Sequence, residues 1–292
     1  MKIIVTGAAG QLGRDLCPVL EKRGHEVIGV DLPELDITCR QAVFGLFTAE
    51  KPDAVIHCAA WTAVDAAEDE DKKEKVRAVN AGGTENIAAA AESVGAKMLF
   101  ISTDYVFDGR TGEKPWEPDD SADPVNFYGL TKFEGELAAE KNCSKLFIVR
   151  ISWVFGVFGK NFVATMLRLG KERKELTVVC DQIGSPTYTP DLSKLLADMI
   201  VTEKYGRYHA TNEGYVSWYG FATEIFRQAS LRDPAYADVK VSPVTSDKYP
   251  SKAVRPANSR MSKTSLDRAG FDRLPAWEDA LGRYLDLVMG RN

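Results

Sequence analysis

Apolar and polar positions alternate along the first hundred residues in a repeating order. Residues 2–5 form a short β-branched run that passes at once into Gly7-Ala8-Ala9-Gly10-Gln11-Leu12-Gly13. Residues 14–23 then carry apolar positions at helical spacing (Leu16, Val19, Leu20) and stop at Gly24, a residue suited to a helix C-terminus. Residues 26–30 read as a second strand with Asp31 at its end. The alternation continues with a helix over 41–50, a buried strand over 54–57, a helix over 65–79, an Ala-rich helix over 84–94 closed by Gly95, and a strand over 98–101. Mixed charges at 68–75 mark a solvated helix face rather than a binding tail. Repeated strand–helix units predict an α/β fold: a doubly wound, Rossmann-like parallel sheet.

The pattern loosens in the second half. Residues 109–125 are rich in Pro, Gly and acid and read as a loop over whatever the sheet presents. A helix over 126–141 carries Tyr128 and Lys132, and 146–150 is a further strand. Beyond it, a helix runs through Leu169, with a short strand at 177–180, helix at 191–201, strand at 208–211 and helix at 218–230. Residues 242–262 have little periodicity, and 276–288 read as a final amphipathic helix. With no repeats, low-complexity tracts or flexible linkers, the second half is expected to pack tightly against the first.

The chemistry begins at the glycines. Glycine lets a backbone turn tightly and approach a pyrophosphate, and amides at the start of the following helix face the anion. Gly7, Gly10 and Gly13 sit between a strand and a helix, and Asp31 follows Gly13 by 18 positions (31 − 13), where a carboxylate can bind ribose hydroxyls. This predicts a dinucleotide-binding domain over 1–150, with later segments near 176–210 returning to it. A smaller, mainly substrate-binding domain then occupies 151–292. In such sheets ligands bind at the carboxyl ends of strands. Four stretches fall there: 7–13, Asp31 onward, 58–62, and Ser102-Thr103.

Tyr128 and Lys132 are four apart and share one helix face. Free tyrosine titrates near ~10, and lowering that by roughly three units takes about 4 kcal/mol, within reach of one fixed charge in a desolvated cleft. A phenol beside an ammonium is therefore a candidate proton donor.

Composition removes other classes. The chain has 292 residues, 45% hydrophobic and 27% charged, which is ordinary globular usage. A net charge of −5 makes no electrostatic case for nucleic acid or for an anionic membrane. No apolar stretch approaches the ~18 residues of a membrane span, and no signal peptide is evident. Five scattered cysteines without a Cys-x-x-Cys pair point to buried, reduced thiols and a cytoplasmic protein. His25, His57 and His209 are too dispersed for a metal centre, so no metal is expected; His57 reads as a satisfied polar residue in or beside a strand.

The glycine loop, Thr103 and Tyr128-x-x-x-Lys132 resemble the extended short-chain dehydrogenase/reductase superfamily. Within it, several stretches resemble the dTDP-4-dehydrorhamnose reductase family: Leu35-Asp36-Ile37-Thr38, Ala59-Ala60-Trp61-Thr62-Ala63-Val64-Asp65, Ser102-Thr103-Asp104-Tyr105-Val106-Phe107-Asp108-Gly109, Ser152-Trp153-Val154-Phe155-Gly156, Asp181-Gln182-Ile183-Gly184-Ser185-Pro186-Thr187, and Arg255-Pro256-Ala257-Asn258-Ser259. The resemblance runs over essentially the whole chain. It implies reduction of the 4-keto group of a dTDP-linked 4-keto-6-deoxy sugar by NADPH or NADH. Tyr128 would be the general acid, Thr103 would stabilise the oxyanion, and Lys132 would hold the nicotinamide ribose and depress the Tyr128 pKa. Cofactor contacts are expected from Gly7, Gly10, Gln11, Leu12, Gly13, Asp31, Asp36, Ile37, Ala59, Ala60, Thr62, Tyr128 and Lys132. Substrate contacts are expected from Thr103, Asp104, Tyr128, Trp153, Asn161 and Arg255. For Trp153 a core position, and for Arg255 a structural salt bridge, stand beside the binding role. Asp31 opposes a 2′-phosphate, Arg14 could offset it, and the cofactor choice stays open. A homodimer is compatible with the resemblance.

Two other readings share these motifs. A nucleotide-sugar 4,6-dehydratase would hold a Glu after Thr103-Asp104, where this chain has Tyr105; a 4-epimerase would return the hydride it takes. A non-enzymatic dinucleotide-binding regulatory subunit would have no need of Thr103, Tyr128 and Lys132 together.

Overall fold

In the computed structural model of the chain, which describes residues 1–110 and 112–290, the N-terminal run forms β1 (Lys2–Thr6). Ile3 and Val5 point to one face of the sheet and Ile4 to the other, and all three are fully buried. α1 (Gln11–Lys22) follows, then β2 (Glu26–Val30), α2 (Arg40–Glu50), β3 (Ala54–His57), α3 (Glu70–Arg77), α4 (Thr84–Ser93), β4 (Lys97–Thr103), α5 (Phe127–Asn142) and β5 (Leu146–Ile151). A sixth strand, Gly206–His209, completes an all-parallel sheet in the order Gly206–His209, β5, β4, β3, β1, β2. The doubly wound α/β fold is thus present. Successive strands diverge on either side of β1, and the crevice this opens at the carboxyl ends is where such sheets hold ligands.

Three apolar clusters hold the molecule. On one sheet face Leu12, Leu16 and Leu20 of α1 meet Leu192, Leu196 and Ile200 of α7 (Thr189–Ile200). On the other, Val43, Phe47, Ile87 and Ala139 cover Ile4, Phe100 and Ile148. The third cluster lies between α6 (Phe162–Glu172), α8 (Trp218–Ser230) and α10 (Trp277–Met289), built on Phe155, Phe221, Trp277 and Tyr284. A short α9 (Thr264–Ala269), not evident in the sequence pattern, seats Leu266 in the first cluster.

Several elements differ from the sequence reading. The helix expected over 65–79 is broken: a 3-10 turn (Asp65–Glu68) is separated from α3 by an extended Asp69, and a π turn (Ala78–Gly83) carries α3 into α4. The buried Asn80 side chain accounts for the π turn. Its Oδ1 accepts from Trp61 N at 2.8 Å and its Nδ2 donates to Thr131 Oγ1 at 3.1 Å, anchoring that turn to two other segments. Glu175–Val179 does not join the large sheet but pairs in parallel with Lys240–Val244, a half-exposed strand whose polar residues and Pro243 hid it. The loop 109–125, of which Thr111 lies outside the described residues, is sewn to the C-terminal half: Trp116 N donates to Arg260 O and Gly109 O accepts from Ala257 N and Asn258 N. Gly109 is needed there, because its φ is +62° and a Cβ would lie 2.4 Å from Pro256 Cα. All five cysteines are free, but only Cys143 is fully buried and Cys39 is exposed.

Candidate active site

The glycine loop fits closely against the rest of the sheet edge. A Cβ on Gly13 would lie 2.4 Å from Gly7 O, and one on Gly7 2.7 Å from Ala59 N, so neither position tolerates a side chain. α1 begins at Gly10 with no side-chain cap and no acid in its first turn, which leaves its first amides and the helix dipole open to an anion. Asp31 braces the loop, accepting from Ala9 N at 3.1 Å and from Leu32 N at 2.9 Å. These groups line a cleft of about 750 Å³. Every residue expected at a dinucleotide lines it: Gly7, Gly10, Gln11, Leu12, Gly13, Asp31, Asp36, Ile37, Ala59, Ala60, Thr62, Tyr128 and Lys132. Thr103, Asp104 and Trp153 line it as well. The loop, the uncapped helix start and the terminal acid fit a dinucleotide.

The far corner of the cleft holds the hydroxyl groups. Asn126 caps α5 by accepting from Gly129 N at 2.8 Å, and Gly129 allows the helix to press against Tyr105, whose carbonyl would lie 2.1 Å from any Cβ there. The Thr103 hydroxyl hydrogen-bonds the Tyr128 phenol, sits 3.0 Å from Asp104 Oδ1, and accepts from Tyr105 N at 3.3 Å. Lys132 Nζ donates to Ile101 O at 2.8 Å and lies 4.1 Å from the centre of the Phe100 ring. Behind Phe100, His57 stacks at 5.5 Å, with its nitrogens 2.6 Å from Thr6 Oγ1 and 3.2 Å from Thr84 Oγ1. It is the satisfied strand residue the sequence suggested.

Burial governs the charges here. It pushes the Lys132 ammonium down to about 7, opposed by the charge of Glu136, and lifts the Asp104 carboxyl to about 6. The Tyr128 phenol is raised, not lowered: burial dominates, the Thr103 hydrogen bond works against it, and the Asp104 charge adds to it. The expected depression of Tyr128 by Lys132 is absent from this structure, where the ammonium is engaged with the Ile101 carbonyl.

Trp153 adopts φ +49°, a left-handed conformation rare for a bulky residue, and its indole lies flat on Trp218. Gly184 leaves the room, since a Cβ there would fall 2.8 Å from the Trp153 ring. Trp153 lines the first cleft and Trp218 a second, of about 1260 Å³, so the stacked indoles form the wall between them. Arg255 lines the second cleft, not the first, and pairs with Asp65 through Nη2–Oδ2 at 2.7 Å and Nη1–Oδ1 at 3.1 Å. Asn161 lines neither. Its amide caps α6 at Ala164 N and donates to Gly156 O and Gln11 Oε1, a structural role. The sequence reading placed Ser102 at the ligand edge but missed Glu136 and Arg150 beneath the site. Glu136 alone left a signal, one helical turn beyond Lys132.

Comparison with known proteins places the whole chain beside one family. The family model described as "RmlD substrate binding domain" matches residues 1–289. A dTDP-4-dehydrorhamnose reductase of Aggregatibacter actinomycetemcomitans is 42% identical over 287 residues, covering 96% of this chain and 97% of the relative. The crystal structure of a dTDP-4-dehydrorhamnose reductase from Clostridium acetobutylicum superposes with a TM-score of 0.93 at 44% identity, over 99% of each chain. One from Bacillus anthracis, in complex with NADP, gives 0.91 at 41% identity over 98% of this chain and 99% of that one.

Proposed function

The chain belongs to the RmlD substrate-binding-domain family, and on that premise we propose that it reduces the 4-keto group of dTDP-4-dehydro-L-rhamnose to give dTDP-L-rhamnose, using NADPH or NADH. The observation that carries the reading is the hydrogen-bonded Thr103–Tyr128 pair at the end of the dinucleotide cleft, with Lys132 one helical turn away.

A bound reduced nicotinamide supplies the hydride that adds to the sugar C4. As the C4 oxygen gains negative charge, Tyr128 transfers its phenolic proton to it, completing the secondary alcohol. The raised affinity of Tyr128 for its proton keeps the phenol loaded at neutral pH. Thr103 turns its single hydroxyl hydrogen from Asp104 to the same oxygen and stabilises the charge forming there. Lys132 spends one of its three donors on Ile101 O and keeps two for the cofactor ribose. Trp153 borders the sugar where the two clefts meet, and the second cleft receives the nucleotide, with Arg255 at its edge beside Asp65.

Tyr105 argues against elimination. A dehydratase base at that position must be a carboxylate, whereas burial raises the Tyr105 phenol far above the range in which it ionises. No helix of the described residues is long and apolar enough to cross a membrane. We assign the protein to the cytoplasm, whose reducing conditions suit five free cysteines. The deciding assay gives the purified protein dTDP-4-dehydrorhamnose with either reduced cofactor and follows the loss of its absorbance. Stoichiometric oxidation with formation of dTDP-rhamnose is expected, and no oxidation by the wild type would sink the reading.

A further inference from the structure

Tyr128, Lys132 and Glu136 follow one another at four-residue steps on α5 and share one face. Three consecutive residues at the end of β4 fasten that face: Thr103 holds Tyr128, Ile101 O accepts from Lys132, and Ser102 Oγ donates to Glu136 Oε1 at 2.5 Å. Arg150 of β5 clasps the same carboxylate, with Nε on Oε1 at 2.9 Å and Nη2 on Oε2 at 2.7 Å. Its third nitrogen, Nη1, donates to Pro118 O in the loop 109–125 at 2.9 Å. Glu136 is 0% and Arg150 2% exposed, and neither lines the cleft. Burying such a pair costs desolvation that a well-packed apolar pair avoids, so stability alone does not account for it.

We propose that Glu136 is a positioning residue for the reductase: held rigid by Ser102 and Arg150, its carboxylate keeps the Lys132 ammonium charged and in place at the cofactor cleft. The groups around Lys132 leave this task to Glu136. At the end of β3, His57 and the Cys58 that follows it face Lys132, and burial keeps both neutral by driving the imidazole down to about 3 and the thiol up. At the end of β4, Asp104 acts on Tyr128, and on α5 itself the only charged partner is Glu136. Burial alone drives Lys132 toward neutrality, and the Glu136 charge opposes it across one helical turn. Glu136 touches neither cofactor nor sugar. It acts through Lys132.

This rests on the cofactor reading of the cleft but not on the identity of the sugar, so it is tested on the full-length protein by NADH binding without substrate, from about pH 6 to about pH 10. Wild-type affinity should fall as Lys132 loses its proton. In Glu136→Gln that fall should move to lower pH by about one unit or more, so that binding at mildly alkaline pH weakens about tenfold. Glu136→Asp should restore most of the range. Arg150→Met, which leaves the carboxylate less neutralised, should lower thermal stability yet keep the fall at or above its wild-type position. Should Glu136→Gln fail to fold with Arg150 left unpaired, the double variant Glu136→Gln/Arg150→Met carries the same expectation of an acid-shifted fall. Superimposed profiles for wild type and the Gln variant would overturn this proposal alone. Absence of NADH binding by the wild type would overturn the cofactor reading together with it.

Discussion

Trp153 lies on Trp218 with ring centroids 3.5 Å apart and planes 11° from parallel, and this stack divides the dinucleotide cleft from the larger cleft beside it. Trp153 holds its place at φ +49°, so packing against Trp218 and Gly184 sustains a backbone conformation that costs on the order of 1–3 kcal/mol. Truncating it should open the wall between sugar and nucleotide. Trp153→Ala is expected to raise the KM for the sugar nucleotide at least about tenfold, as loss of a stacked aromatic contact allows, while the KM for the cofactor changes little. Steady-state kinetics varying each substrate separately will read the split.

Removing the acid is the direct test of the chemistry. Tyr128→Phe deletes the phenol that hydrogen-bonds Thr103 and should lower kcat by roughly 10²–10⁴, the usual worth of a positioned general acid. Cofactor affinity, measured by NADH fluorescence, should stay near the wild-type value. An unchanged kcat would reassign the proton donor without touching the reaction.

Cofactor preference follows from the end of β2. Asp31 and Asp36 line the cleft there, while Arg14 donates its Nε to Ala9 O at 3.0 Å and lays its guanidinium 5.3 Å from the Phe158 ring centre. A 2′-phosphate placed among these groups meets the Asp31 and Asp36 carboxylates at close range. The protein should accept both cofactors but favour NADH in kcat/KM, by about tenfold for a repulsion of about 1.4 kcal/mol. Asp31→Ala should narrow that ratio, chiefly by improving NADPH, and a ratio that does not move would show that Asp31 is silent.

Acid should weaken the fold through its buried imidazoles. Burial lowers His57 to about 3 and His209 well below its ordinary value, so the unfolded chain binds their protons first as pH falls below about 6.5. The stability they support is present above that pH and is lost on acidification, by roughly 1.4 kcal/mol per pH unit for His57 down to about pH 3. Asp104, raised to about 6, works in the opposite direction between about pH 6 and about pH 4 and masks part of the slope. Urea unfolding of wild type against His57→Gln isolates one group: the difference between them should change with pH below about 6.5 and level off above it.

Much of the first half could be read directly. The run at 54–57 matches its strand because a sheet covered on both faces demands short, continuous apolar segments, and the run at 26–30 matches as a partly exposed edge strand rich in Val and Ile. The glycines at 7, 10 and 13 announced a close backbone approach, and the structure gives Gly7 and Gly13 neighbours that exclude a side chain and Gly10 a tight one, Gly7 O at 3.1 Å. Where reading failed, the deciding contact lay elsewhere in the chain. The π turn at Ala78–Gly83 depends on Trp61 and Thr131, and Lys240–Val244 is a strand only because Glu175–Val179 lies alongside it. Of the two alternatives read for Arg255, the salt bridge is present, with Asp65 190 positions away, while Asn161 caps α6, a contact its spacing did not announce.

The sequence by itself determined the parallel sheet, the loop that fits a dinucleotide, and the Thr103, Tyr128 and Lys132 constellation, because periodicity, glycine and helical spacing are local properties of the chain. Tertiary structure alone decided how those groups are charged and which of them are free. Burial set the protonation of Tyr128, Lys132 and Asp104, the Ile101 carbonyl on β4 holds the ammonium, and Arg150 from β5 meets Glu136 from α5 beneath it. Desolvation and long-range pairing depend on what surrounds a residue in space, and no spacing along the chain records that.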